Sequence, residues 1–371
     1  MGAERWRVVD CGAVTPFENA AVMPVLSREV AGGSDPIAMT SVWGQTHLNV
    51  GWFDDVDDWL DLAACERLAV AVIRRPLYGG GTAFYDEGCA VMWGFLLPKD
   101  RYPDLDGELV RFQKVMLRAL DALGLGEVAF EGSSDLRWRG RKLGALTAQD
   151  VIACNSVGGF LNIKPPNMDL YLQVARVPDD KFKDKLVKDM REYVVTAEEI
   201  RGRALPYEEF RDALLATCER AGMKLDPRPL SDEERAGIAK IASKIGSDDF
   251  IRRISSDRFR AEHEKAGRRV GFGNHKGRKL CRAGVAIDGD GTIVAAMMAG
   301  DMHVSPPDTL DRVAAALAGA GTSEDDDLRR RIASVLEAPD VHQADTTTGV
   351  TTDDLLAALR KAVENAKEAP A

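Results

Sequence analysis

No run of apolar residues in this 371-residue chain reaches the ~20 that a membrane-spanning helix needs. The opening Met1-Gly2-Ala3-Glu4-Arg5-Trp6-Arg7 lacks the apolar segment of a secretory signal. Gly2 follows the first methionine, but Trp6 stands where myristoylation needs Ser or Thr. Cysteine is sparse. The six (Cys11, Cys65, Cys89, Cys154, Cys218 and Cys281) are far apart and form no Cys-x-x-Cys pair, which speaks against a zinc site and a disulfide framework. The five histidines are scattered, and His303 has a carboxylate near it, at Asp301. Basic charge is in deficit: 49 Lys and Arg against 59 Asp and Glu leave a net charge of −10. A field of that sign repels nucleic-acid phosphates. These absences predict a cytoplasmic protein with buried, reduced thiols and neither a nucleic-acid nor a membrane partner.

The chain does have length enough for two cores. Mixed apolar and turn-like residues over 36–53 predict strands, and residues 55–68 predict a helix with Asp55, Asp57 and Asp58 at its positive end. Val70 to Ile73 is a short apolar run that fits a buried strand. Cys89 to Leu97 reads as another strand. Leu109, Phe112, Met116, Leu120 and Leu123 recur at helical spacing and leave one apolar face. Short strands are predicted at 127–131, 136–139, 143–146, 159–163 and 170–177, and helices over 179–246. Ser231-Asp232-Glu233-Glu234 has the form of a capping box. A domain boundary is expected after residue 246, at Gly246-Ser247-Asp248-Asp249. Beyond it, 278–301 predicts a hairpin turning at Asp288-Gly289-Asp290-Gly291, followed by helices near 308–318, 324–337 and 352–367.

Three segments could carry chemistry. The first runs from Arg74-Arg75-Pro76-Leu77-Tyr78 through Gly79-Gly80-Gly81 to Thr82-Ala83-Phe84-Tyr85-Asp86. Glycines after a strand let backbone approach a ligand, and their N–H groups can cradle an anion. A plain flexible loop beside a solvated arginine pair reads the same residues as well. The spacing is neither a Walker loop nor a dinucleotide fingerprint. The second segment, Ser133 to Ala145, reads as a hairpin turning at Gly140 and presenting Arg141 and Lys142. It is either a basic surface hairpin or a lysine placed to offset charge developing at a carbonyl. The third, Gly158-Gly159-Phe160-Leu161-Asn162-Ile163-Lys164, is by itself a glycine-led core strand.

In this order and separation the three segments resemble the lipoate ligase and octanoyltransferase superfamily. Residues 278–320, with Lys279, Gly289, Gly300 and Asp301, resemble the accessory C-terminal domain of lipoate–protein ligases. The resemblance implies an α+β fold: a large mixed or antiparallel-sheet catalytic domain of the biotin/lipoate ligase type over 1–246, and a small α+β domain over 247–371. It implies that Lys142 acts on the acyl carbonyl and an α-phosphate. Arg75, Tyr78, Gly79, Gly80 and Gly81 would line the acyl and adenylate pocket. Thr82, Ala83, Phe84, Tyr85 and Asp86 would flank the nucleotide. Asp135 would hold adenylate or Mg2+, and Gly158 and Gly159 would border the acyl tail. The chain departs from the family pattern at Pro76-Leu77, at Tyr85 where His is common, at Ser134 where Asn is usual, and after Lys142. These departures bear on acyl specificity.

The activity so implied is ATP-dependent ligation: lipoate or a similar acid is activated as acyl-AMP with Mg2+ and passed to a lysine of a lipoyl carrier domain. The main alternative is an octanoyl transferase working through a cysteine thioester, for which Cys154 is the candidate because Glu127 to Asp135 contains no cysteine. A biotin ligase shares the adenylation logic but would bring a DNA-binding segment that this chain lacks. A carrier-binding paralogue without turnover is the remaining alternative.

Overall fold

The computed structural model describes residues 4–76, 81–132, 134–151, 154–176, 188–343 and 349–368. It divides into two compact units. The first comprises residues up to His47, Phe84–Gln173 and Val177–Lys244; the second comprises Leu48–Ala83, Val174–Arg176 and Ile245 onward. The sequence places a single cut after 246. In the structure residues 48–83 pack with the C-terminal stretch rather than with the first unit.

The first unit is built on an eight-stranded mixed sheet. In chain order its strands are β1 (Arg5–Val14), β2 (Ile37–Trp43), then, after β3 (His47–Val50), β4 (Ala71–Arg74) and β5 (Ala83–Tyr85), β6 (Ala90–Leu97), β7 (Ala129–Glu131), β8 (Asp135–Trp138), β9 (Arg141–Val151), β10 (Cys154–Asn162) and β11 (Lys224–Pro227). Across the sheet the order is β11-β1-β2-β6-β10-β9-β8-β7. β1 runs parallel to β2 and to β11, and the other pairs are antiparallel. Alternation along the strands sends Val91, Trp93, Phe95, Leu136, Leu143, Val157 and Leu161 to one face, where the helices Leu105–Ala122 and Tyr207–Arg220 cover them. The former helix is capped by Asp104, whose side chain accepts from Gly107 N–H, and buries Phe112, Val115, Met116, Ala119 and Leu120. At one end of the opposite face the helix Pro16–Ala31 lies over Val9, Ile37, Leu96 and Cys154. It starts at a full capping box between Thr15 and Glu18, with Pro16 in the first turn.

Two expectations about this unit needed correction. The expected strand at 170–177 is the helix Met168–Val174, begun by Asn167, whose side chain accepts from Leu170 N–H. Its continuous apolar run suits either period, and the Asn cap decides it. Of the helical stretch expected over 179–246, residues 179–187 lie outside the described residues, and the rest is interrupted by β11, which adds parallel to the outer edge of β1.

The second unit carries a three-stranded antiparallel sheet, β12 (Arg269–Lys276), β13 (Leu280–Ile287) and β14 (Ile293–Gly300). The expected β13–β14 hairpin forms, with the Asp288 side chain accepting from Asp290 and Thr292 N–H in its turn. The helices Thr309–Leu317, Asp325–Leu336 and Thr352–Glu368 close its core. The last lies close on β12 because Gly271 and Gly273 have no side chain; an added Cβ would come within 2.2 and 2.4 Å of helix backbone. A short pair, β15 (Val304–Ser305) with β16 (His342–Gln343), completes the unit. Among the described residues no helix is long and apolar enough to cross a membrane.

Candidate functional site

The hairpin from β8 into β9 turns at Arg139 and Gly140, both with positive φ, 50° and 79°. A register shift between Leu136 and Arg137 pairs Arg137 with Lys142 and Asp135 with Ala145. The result is one charged group. Lys142 Nζ lies 2.7 Å from Asp135 Oδ1, and Arg137 Nη2 lies 2.9 Å from Asp135 Oδ2. The Lys142 side chain is 23% exposed. Arg137 also donates to Gly140 O at 2.8 Å, and its guanidinium lies over the Tyr193 ring at 5.3 Å. Arg141 donates to Arg191 O and Val194 O and pairs with Glu199, while Val195 N–H donates to Lys142 O at 3.0 Å. These bonds strap residues 191–199 along the start of β9. Lys142 is thereby held at its backbone, and its head is oriented by Asp135.

On the β2, β6 and β10 part of this sheet, Trp43, Tyr85, Met92 and Phe160 form an aromatic patch with Val14, Cys89 and Ala90. The Tyr85 ring stacks on His47 at 5.4 Å, and His47 meets Trp43 at 4.4 Å. His47 is fully buried, its Nδ1 lies 2.9 Å from Gln45 O, and burial pushes its pKa down to about 4. The imidazole is therefore neutral, with the proton on Nδ1 toward that carbonyl. Trp43 and His47 carry no sequence motif and were not among the expected site residues; only their place beside Tyr85 in the fold reveals them. Asp86 is a fastener: its two oxygens accept from Thr46 Oγ1 at 2.5 Å and Asn167 N–H at 2.7 Å. The Phe84 ring lies 5.3 Å from that of Tyr171.

Gly158 and Gly159 sit mid-strand in β10, where sheet packing alone demands glycine. An added Cβ would stand 2.7 Å from Trp93 O at Gly158 and 1.8 Å from Ala145 O at Gly159.

The remaining motif residues belong to the second unit. Arg74 is fully buried, and its guanidinium is caged by five carbonyls: Gly51, Trp52, Asp54, Ile251 and Ile254, at 2.8 to 3.1 Å. It is a structural arginine. Arg75 Nη2 donates to Gly81 O at 2.7 Å and closes the loop on itself. Thr82 Oγ1 donates to Asp54 Oδ2 at 2.8 Å, and burial raises the pKa of that carboxyl. Gly81 has room: an added Cβ would meet Asp301 at an ordinary 3.8 Å. Ala83 begins β5. Tyr78, Gly79 and Gly80 lie outside the described residues.

Mg2+ at Asp135 does not fit this geometry, because both carboxylate oxygens already face cations. Among the described residues no group of three His, Cys, Asp or Glu side chains is arranged to hold a metal. Cys154, weighed for the thioester alternative, is the buried cysteine that the sequence reading favoured over a nucleophile. It is fully buried and pairs with Val151, nine residues along β9 from Lys142, which at strand rise is roughly 30 Å.

The model of the lipoyl protein ligase A/B catalytic domain matches residues 15–219, and this chain belongs to that family. Over 67% of its length it is 24% identical to an octanoyltransferase of Geobacillus kaustophilus, 99% of which is covered. It is 21% identical over 68% to an octanoyltransferase of Moorella thermoacetica, covering all of it. Among solved structures, P. falciparum LipL1 in complex with lipoate superposes with a TM-score of 0.65 at 12% identity, covering 96% of this chain and 99% of that one. A bi-partite lipoate protein ligase from Thermoplasma acidophilum gives 0.55 at 16% identity, over 67% of this chain and 96% of that one. The superpositions establish the fold. The names overturn the ATP-dependent ligation expected from the resemblance: the curated relatives matched along nearly their whole length are octanoyltransferases. The wrong turn has a physical reason. The glycine loop and the Gly-Arg-Lys hairpin are what the resemblance to the superfamily rests on, and that superfamily holds both ligases and transferases, so these motifs do not separate the two.

Proposed function

We propose that this chain is a medium-chain acyltransferase that moves an octanoyl group from a carrier thioester to a lysine of a lipoyl carrier domain. The observation that carries this reading is the part-exposed Lys142 side chain, its ammonium held by Asp135 beside an aromatic-edged sheet face. The octanoyltransferase relatives support it over the full length they share with this chain. Lys142 donates to the acyl carbonyl oxygen and stabilises the negative charge that builds there as the acceptor adds. Asp135 and Arg137 keep that ammonium in place before substrate arrives. Tyr85 and Phe160, partly buried against the cluster that contains Trp43, offer the apolar contact that an eight-carbon chain needs. The six reduced cysteines suit a reducing compartment, so we place the reaction in the cytoplasm with soluble carriers.

The test supplies the octanoyl thioester of an acyl carrier protein and an unmodified lipoyl domain, without nucleotide. The lipoyl domain is expected to gain the mass of one octanoyl group. A gain seen only with free octanoate and ATP, and never from the thioester, would overturn this reading.

A further inference from the structure

We propose that Trp43 is the end wall of the acyl site and sets the longest chain that this enzyme transfers. This rests on the transferase reading and names the residue that limits its substrate. Register partners on neighbouring strands turn their side chains to the same face of a sheet. One row of partners crosses this sheet as Asp135, Ala145, Phe160, Met92 and Ser41, on β8, β9, β10, β6 and β2. Asp135 holds the Lys142 ammonium at 2.7 Å, so that ammonium stands on the face that Phe160 and Met92 share. Trp43 is two residues along β2 from Ser41 and packs with Met92 and Ala90 on that same face.

This face is part-open at one end and shut at the other. The Lys142 side chain is 23% exposed, whereas Trp43 is 5% exposed and His47 is fully buried. Phe160, Tyr85 and Trp43 lead from β10 to β2, with ring centroids 6.2 Å apart for the first pair and 5.4 Å for the second. The His47 ring backs them, 4.4 Å from Trp43 and 5.4 Å from Tyr85. From β9 through β10 and β6 to β2 is three strand spacings, or about 14 Å. An extended eight-carbon chain spans about 9 Å at ordinary C–C bond lengths. Contact between its terminal methyl and a ring carbon adds about 4 Å. A chain whose carbonyl lies at Lys142 on β9 therefore ends against the Trp43 indole. Four further carbons add about 5 Å, which the indole cannot yield while it stays packed on Met92 and Ala90.

Transfer rates from acyl carrier protein thioesters of six, eight, ten and twelve carbons to the lipoyl domain test the wall. In the parent, kcat/KM for twelve carbons is expected to lie at least about tenfold below that for eight. In Trp43→Ala the two are expected to come within about threefold of each other. The milder Trp43→Leu, which keeps more of the packing, is expected to raise ten carbons relative to eight. Partial unfolding lowers every rate alike and leaves these ratios unchanged, so a purely structural role for Trp43 does not produce the shift. A parent that transfers twelve carbons as fast as eight would overturn the wall and leave the transferase standing. So would folded Trp43 variants that keep the parent's ratios. No transfer from a thioester of any length would overturn the transferase reading itself, and the wall with it.

Discussion

Lys142 Nζ lies 2.7 Å from Asp135 Oδ1 while Arg137 takes the other oxygen at 2.9 Å, so one carboxylate orients the ammonium at the centre of the hairpin. Lys142→Ala should lower kcat by about 10²–10³, the usual loss for one preorganised donor. Asp135→Asn should lower it less, since the ammonium remains. Lys142 is part-exposed, so circular dichroism and melting should match the parent. A Lys142→Ala enzyme turning over at the parent rate would remove the lysine from the mechanism.

Arg74 shows what the first arginine of the glycine-loop motif does. Its guanidinium serves five carbonyl acceptors, of which Gly51 O and Ile254 O also accept from Asp54 N–H and Val56 N–H. Arg74→Leu should cost the second unit about 3 kcal/mol or more, through buried acceptors left unsatisfied. Urea unfolding followed by tryptophan fluorescence measures it. A loss within 0.5 kcal/mol, the usual range for a surface change, would show the cage to be dispensable.

The glycines of this chain should differ sharply in tolerance. At Gly159 a methyl would sit 1.8 Å from Ala145 O, so β9 and β10 must separate to admit it. Gly159→Ala should cost about 3 kcal/mol or prevent soluble expression. At Gly140 nothing lies within 4 Å, and only the φ of +79° opposes a side chain. Gly140→Ala should cost about 1 kcal/mol. Equal losses at the two sites, by chemical denaturation, would contradict the packing described.

His47 ties stability to pH. Burial lowers its pKa to about 4 from an ordinary 6.5, so the unfolded chain binds the proton first as pH falls. Its contribution is full above about pH 6.5, declines toward pH 4 and levels off below, with a total near ~3 kcal/mol. Unfolding midpoints of the parent and of His47→Leu should therefore converge as pH falls from 7.5 to 4.5, if the leucine starts less stable. More generally, the difference between them should change across that window. Two parallel pH profiles would rule His47 out as a source of the dependence.

Much of the fold was legible in local pattern. The helix Leu105–Ala122, the β13–β14 hairpin, the Ser231 capping box and the three C-terminal helices lie where periodicity and turn chemistry put them. Local pattern did not disclose β11, whose short Lys-Leu-Asp-Pro segment joins the sheet only by pairing with β1, over two hundred residues away. Nor did it show that residues 48–83 pack with the C-terminal stretch, because contacts between distant segments leave no periodic trace. The site divides in the same way. Lys142 and Asp135 were visible as a motif, whereas Trp43 and His47 reach Tyr85 only through the sheet.

By itself, the sequence determined the α+β class, the family, the lysine hairpin and the dispersed cysteines, since these follow from residue type, spacing and short-range hydrogen bonding. Only the tertiary structure decided that Arg74 is a structural arginine, that Asp135 faces two cations, and that Cys154 is sealed at the far end of β9. Those facts depend on which distant backbone groups surround a side chain, and burial then sets whether it is charged, reachable or inert.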